Sequence, residues 1–415
     1  MPEKIFSYAK FNLDALLSLA TRLRGRECTC NVAAAPKTGS MNWAIFISFD
    51  DGLDWVFRSP RSGHHAIVSD KTAQKMLISE VATLRCLRNN TSVPVPEVTD
   101  YVVGECLSPS LTWQERDSLD GVERGPFLDE SQYLKSLIDV FISHATELPL
   151  TPHAFFAPIP DYSEYPNWSS YRAAIGRWND YVAIGAKIES SKNLLSYCLA
   201  GQMLHQMSAR LSTPDGSYTL SHPDLHLGNM FVDDEFNITC LIDWGSATSG
   251  PITELQATPG LGNSAFPPPE QLVSAFRAGF SQEHPLPAES WERADMMWHF
   301  SRLVRLLSTQ DYRLFQALYK LVYKTDAEDS HICAVFNEMA AEEGNQRLLA
   351  TLRADDYTAS ELEQQEAKAF GCCKTDKGNG RAVARKLTVV AEMNKTFLAS
   401  AKVWRWIEKS LENDT

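Results

Sequence analysis

Positive charge is in short supply in this sequence: 39 lysines and arginines face 52 aspartates and glutamates, a formal net charge of −13 over 415 residues. No dense Lys/Arg run offsets that balance, and a surface of this sign repels the phosphates of nucleic acid and of anionic lipid. No nucleic acid and no membrane is therefore expected as a partner. Long apolar runs are missing too. The most apolar stretch, residues 41–49, is less than half of the ~20 residues that a spanning helix needs. Residues 1–5 lack the apolar core of a secretory leader. Residues 11–24 pattern as an Arg-tipped amphipathic helix, but Glu3 and Asp14 run against the acid-poor composition of a mitochondrial presequence. The expectation is a cytoplasmic protein; a mitochondrial one fits less well.

The nine cysteines are scattered and form no C-x-x-C, which argues against a zinc finger or a thioredoxin-type site and for reduced thiols. There is no H-E-x-x-H, no G-x-x-x-x-G-K phosphate loop and no fixed-period repeat. His222 and His226 could in principle share a zinc ion, but Pro223 breaks any regular helix through the pair. Gly260-Leu-Gly262 formally starts a dinucleotide fingerprint, yet it runs into Pro267-Pro-Pro269 rather than opening a helix.

What is present is ordinary globular composition, 44% hydrophobic and 22% charged, with length for two or three domains at ~150 residues each. The first hundred residues read as a small α+β unit. Residues 11–24 are helical. Residues 42–49 alternate, with Trp43, Ile45 and Ile47 on one side, and Asp50-Asp51-Gly52 turns into a second strand over residues 54–58. A helix over 71–89 ends before Val93-Pro-Val-Pro96. Beyond residue 131 the chain is mostly helical, with helices expected over 131–147, 168–187, 193–211, 269–280, 288–308, 310–324 and 326–342. Residues 251–269 read as a Pro/Gly-rich loop, and aromatics such as Phe155, Phe156, Tyr162, Trp168 and Tyr171 read mainly as core.

The chemistry lies in Ser221-His-Pro-Asp-Leu-His-Leu-Gly-Asn-Met230, followed by Ile242-Asp-Trp-Gly245. Asp224 and Asn229 are five apart and Asp243 follows fourteen later, the spacing of a phosphoryl-transfer loop H-x-D-x-x-x-x-N and its D-[F/W]-G partner. An attacking hydroxyl needs a carboxylate to orient it and take its proton, the role for Asp224. Mg²⁺ prefers hard oxygen ligands and keeps phosphates in its shell, which suits Asn229 and Asp243. His222 would brace the loop through backbone hydrogen bonds.

These residues, together with Ser79-Glu-Val-Ala-Thr-Leu84, Val93-Pro-Val-Pro96 and Ala200-Gly-Gln-Met-Leu204, resemble the aminoglycoside phosphotransferase/choline-kinase-like family, especially its fungal branch. The resemblance covers most of residues 28–280. It implies a protein-kinase-like α+β fold with a small β-rich lobe and a larger helical lobe, ATP and Mg²⁺ as cofactors, and a small-molecule hydroxyl as acceptor. It also implies that Glu80 pairs with a phosphate-contacting cation, for which the matching position holds Arg58 instead of lysine; Lys71 and Lys75 are alternatives. Gly39, Ser40 and Asn42 stand where a glycine-rich loop would cover the phosphates, although with a single glycine, and no adenine-binding hinge is recognisable over residues 101–111. The expected organisation is an N-terminal extension (1–27), an N-lobe (28–110), a helical C-lobe (111–345) and a helical C-terminal extension (346–415). The rival reading is a catalytically impaired pseudokinase that binds a nucleotide or partner. Nothing in the pattern fixes an oligomeric state.

Overall fold

The computed structural model describes residues 12–34, 36–38, 42–60, 70–101, 116, 119–150, 153–156, 162, 165–175, 190–213, 216–261, 267–308, 311–356, 358, 360–361 and 364. The chain forms two compact units: residues 1–118 with 222–248, and residues 119–221 with 249–415.

The first unit is built on an antiparallel sheet of β1 (Cys28–Thr29), β2 (Lys37–Thr38), β3 (Asn42–Phe49) and β4 (Asp54–Pro60). The strands β1 and β2 share one edge of β3, and β4 takes the other, with Ala44 opposite Arg58. The alternation legible in the sequence is observed: Trp43, Ile45, Ile47 and Phe49 are buried while Phe46 is exposed. Gly52 takes a left-handed φ of +82° in the turn, a conformation costly for any residue with a Cβ. The buried face is covered by the helix Leu13–Arg24, whose Leu13, Leu16, Leu17 and Ala20 pack against it. That helix starts where the Asn12 side chain accepts from the Ala15 N–H and stops at Gly25, which is left-handed. A second helix, Asp70–Asn90, ends where the Thr91 hydroxyl bonds back to the Leu87 carbonyl and the prolines follow. The hairpin Met230–Val232/Ile238–Leu241 completes the unit.

The second unit is mainly helical. Helices Glu130–Glu147, Ser191–Leu211, Ala288–Val304, Asp311–Tyr323, Asp329–Ala341 and Glu343–Leu352 enclose one apolar cluster. At its centre the fully buried rings of Phe155, Tyr197 and Phe315 meet edge to face. Tyr162 and Trp168 lie at the surface instead. The Tyr197 hydroxyl and the His153 ring both bond to the fully buried carboxylate of Asp311.

Among the helices, two differ from the sequence reading. Residues 251–269 contain a short helix, Ile252–Gln256, that is too brief to show a period. Glu254 holds it through a buried ion pair with Arg305 at 2.7 Å. Burial works against the charge on Arg305, but Glu254 and Tyr133 beside it keep the guanidinium above its ordinary pKa. The helix Ala288–Val304 stops four residues short of the expected 308: Arg305 caps it with right-handed backbone, and Leu306 breaks it with a positive φ. The helix Glu343–Leu352 lies in the charged tail and is anchored by buried Asn345, whose carbonyl accepts from Gln202. Residues 176–189, including Trp178 and Tyr181, lie outside the described residues.

Gly201 marks the closest approach of Glu130–Glu147 to Ser191–Leu211, since a Cβ there would run into the Ile142 side chain. Gly201→Ala gains ~1 kcal/mol of helix propensity but overpacks the contact by about 1–3 kcal/mol. A net loss of up to about 2 kcal/mol is expected in urea unfolding; a stabilised variant would mean that Ile142 yields freely.

Candidate active site

The segment from His222 to Gly245 folds as a loop, a hairpin and a second loop within the first unit. Its backbone is pinned at several points. The Leu225 N–H donates to the His222 carbonyl at 3.2 Å, and the Ile242 N–H donates to the Asn229 carbonyl at 3.0 Å, across the open end of the hairpin. The Leu241 N–H reaches the Pro94 carbonyl at 2.8 Å, so Val93-Pro-Val-Pro96 supplies an acceptor to the strand that leads into Asp243. Here the proline-rich segment has a physical use: fixed φ values hold that carbonyl in place.

His222 donates from Nε2 to the Ile242 carbonyl at 2.9 Å and packs edge-on against Trp244, with ring centroids 4.6 Å apart. Trp244 is buried, and its indole N–H donates to the Leu241 carbonyl at 3.1 Å. These two rings clamp the strand end from which Asp243 projects. Asn229 is also buried, and its side-chain amide donates to the Asp224 carbonyl at 3.0 Å, tying the two ends of the loop together. The carboxylate of Asp224 is largely exposed.

Asp243 adopts φ +66° and ψ +50°, the left-handed region. Aspartate tolerates it better than most residues, yet the conformation persists only where neighbours fix it. One of those neighbours is Arg58. Its guanidinium forks, donating from Nη1 to Glu80 Oε1 at 2.8 Å and from Nη2 to Asp243 Oδ1 at 2.7 Å. With its amide oriented to suit this network, Asn42 accepts from the same guanidinium at 2.8 Å. Arg58 stands on β4, Asn42 on β3, Glu80 on the helix Asp70–Asn90 and Asp243 after the hairpin, so one cation ties together four segments distant in sequence.

Glu80 is mostly buried, and burial pushes its carboxyl above the ordinary value; Arg58 pulls it back and the Asp243 charge adds to the rise. Lys75 points to solvent, so Arg58 rather than Lys75 is the partner of Glu80. The side chain of Lys71, the residues Gly39 and Ser40, and most of the hinge region at 101–111 lie outside the described residues. Among the described residues no group of three or more His, Cys, Asp or Glu side chains could hold a metal on its own. The donor set of Asn229 and Asp243 nevertheless fits Mg²⁺, which uses one or two protein oxygens and fills its octahedron with phosphates and water. Sequence reasoning overlooked Trp244, and it named Asn42 without the contact that Asn42 makes. Trp244 could have been found from its place inside D-W-G. The bond from Asn42 to Arg58 had no sequence signal, since it depends on the pairing of β3 with β4.

The model of the phosphotransferase enzyme family (APH) matches residues 37–254, just over half of the sequence. The chain belongs to that family. The family brings with it the protein-kinase-like α+β fold class, and it places the chain among phosphotransferases. A comparison with curated proteins gives no match. Among solved structures, a macrolide 2'-phosphotransferase type I is 14% identical, covers 85% of this chain and 100% of its own, and superposes with a TM-score of 0.34. A gentamicin complex of APH(2")-IIa is 14% identical, with coverage of 77% and 98% and a TM-score of 0.31. Superpositions this loose carry no argument about the site. No helix among the described residues is long and apolar enough to cross a membrane.

Arg58→Met would leave Glu80 buried without its counter-ion, for a loss of about 1–3 kcal/mol at neutral pH. The sign of the pH dependence follows from Glu80. A carboxyl whose folded pKa is raised contributes stability below its unfolded value and loses it as pH rises through the folded value. Removing Arg58 raises that folded value further. The deficit of the variant should therefore grow between about pH 4 and pH 7. Urea unfolding across that window checks it, and a deficit independent of pH would show that Arg58 does not balance Glu80.

Proposed function

We propose that the protein is an ATP- and Mg²⁺-dependent phosphotransferase that moves the γ-phosphoryl group to a hydroxyl of a small molecule, of aminoglycoside, choline or other metabolite type. The observation that carries this reading is the fork of Arg58 across Glu80 and Asp243 beside the Asn229–Asp224 loop. It holds a phosphate-attracting cation against Asp243, which with Asn229 would supply the oxygen ligands for Mg²⁺. The metal, once bound with ATP, would neutralise charge building on the transferred group.

The protein's own contribution is positioning. Asp224, exposed beside the loop, would orient the acceptor hydroxyl and take its proton. Asn229 and Asp243 would hold the metal, and Arg58, kept in place by Glu80, would contact phosphate oxygens. His222 would keep the strand end fixed through the Ile242 carbonyl. Asn42, with Gly39 and Ser40, would lie along the phosphate-covering turn. In the same reading residues 28–110 are the N-lobe and residues 111–345 the C-lobe, with extensions over 1–27 and 346–415. The acidic surface would favour a cationic acceptor over nucleic acid or membrane, in a cytoplasmic setting.

Transfer of labelled γ-phosphate from ATP with Mg²⁺ to a panel of aminoglycosides, choline and sugar alcohols tests the reading. Turnover is expected for one acceptor class, with Asp224→Asn lowering kcat by about 10²–10⁴ and leaving the fold intact. Equal rates for Asp224→Asn and the native protein would sink the assignment of the base. Retained ATP binding with no transfer and no hydrolysis would leave the pseudokinase reading.

A further inference from the structure

We infer that His226 is a positioning residue for Asp224, presenting a fixed N–H donor to carboxylate oxygen Oδ2 and so leaving Oδ1 to the attacking hydroxyl. The inference rests on Asp224 acting as the base. Three observations carry it. His226 is the N-cap of the short turn Leu227–Asn229, and its Nδ1 accepts from the Gly228 N–H at 3.0 Å. A backbone N–H can only donate, so Nδ1 carries no proton and the neutral ring must carry its hydrogen on Nε2. That Nε2 faces Asp224 Oδ2 at 3.9 Å, too far for a finished hydrogen bond but within the range that tightens when substrate closes a site. Finally, residue 228 has no side chain: a Cβ there would come within 2.8 Å of His226 Cε1 and 3.0 Å of Nδ1. Gly228 thus leaves room for the ring in the pose that turns Nε2 toward Asp224.

The tautomer also decides between two roles. With Nδ1 engaged as acceptor and Nε2 already protonated, the ring cannot take the proton from Asp224. It orients the carboxylate and does not relay from it.

Two substitutions separate capping from positioning. Asn is an excellent N-cap and would keep the bond from Gly228, but its amide is too short to reach Asp224. Gln would reach Asp224 but cap poorly. For Mg²⁺-dependent ATP hydrolysis, with water as the acceptor, His226→Asn should keep the native Tm and the native KM for ATP while kcat falls about tenfold. His226→Gln should recover part of kcat despite a lower Tm. Native kcat in His226→Asn would reduce the residue to a cap and overturn the inference alone. If Asp224→Asn also turned over at the native rate, the base assignment would fall and take this inference with it. Independently of turnover, ¹⁵N NMR of the imidazole at about pH 8 should report hydrogen on Nε2; hydrogen on Nδ1 would overturn the inference whatever the kinetics.

Discussion

The guanidinium of Arg58, held between Glu80 and Asp243, is the contact on which the order of the candidate site depends. It joins the sheet, the helix Asp70–Asn90 and the D-W-G turn through charges that are each costly or strained alone. Glu80 is mostly buried, and burial opposes its ionisation. Asp243 sits in a left-handed conformation. A planar cation with separate donors can satisfy both carboxylates at once, whereas an ammonium group would offer a single point of charge. Arginine at this position is thus compatible with the two-carboxylate geometry, although the family resemblance leads one to expect lysine there.

Around that contact the backbone is arranged to leave little freedom. The His222 and Trp244 rings, the Pro94 carbonyl and the pairing of Met230 with Leu241 each fix one point of the loop. Among the side chains left outward are Asp224 and His226, each about half or more exposed. Rigid support beneath and accessible carboxylate above is the division that phosphoryl transfer asks of a protein, because positioning and charge neutralisation carry most of its rate enhancement.

Much of this was legible in the sequence. The alternation of residues 42–49, the Asp-Asp-Gly turn and the capped or proline-stopped helices are local signals, and local signals survive folding. The spacing of Asp224, Asn229 and Asp243 marked the loop because the chemistry constrains residue type and separation together. Segments quoted only for their likeness gained physical reasons. Val93-Pro-Val-Pro96 supplies a carbonyl to the Asp243 strand, Glu80 within 79–84 holds Arg58, and Gly201 within 200–204 lets two helices approach. What remained hidden depends on contacts between distant segments. The helix Ile252–Gln256 is held by the pairing of Glu254 with Arg305, and Asn42 meets Arg58 only because β3 pairs with β4.

Calorimetric titration of the protein with ATP, with and without Mg²⁺, compared with Asp243→Ala, tests most directly whether these residues form a nucleotide site. Binding that requires the metal and falls at least tenfold in Asp243→Ala is the expected result, since the variant loses a carboxylate ligand. Equal affinity in the two proteins, or the same affinity without Mg²⁺, would contradict the assignment of Asp243 to the metal and detach the Arg58 network from phosphoryl transfer.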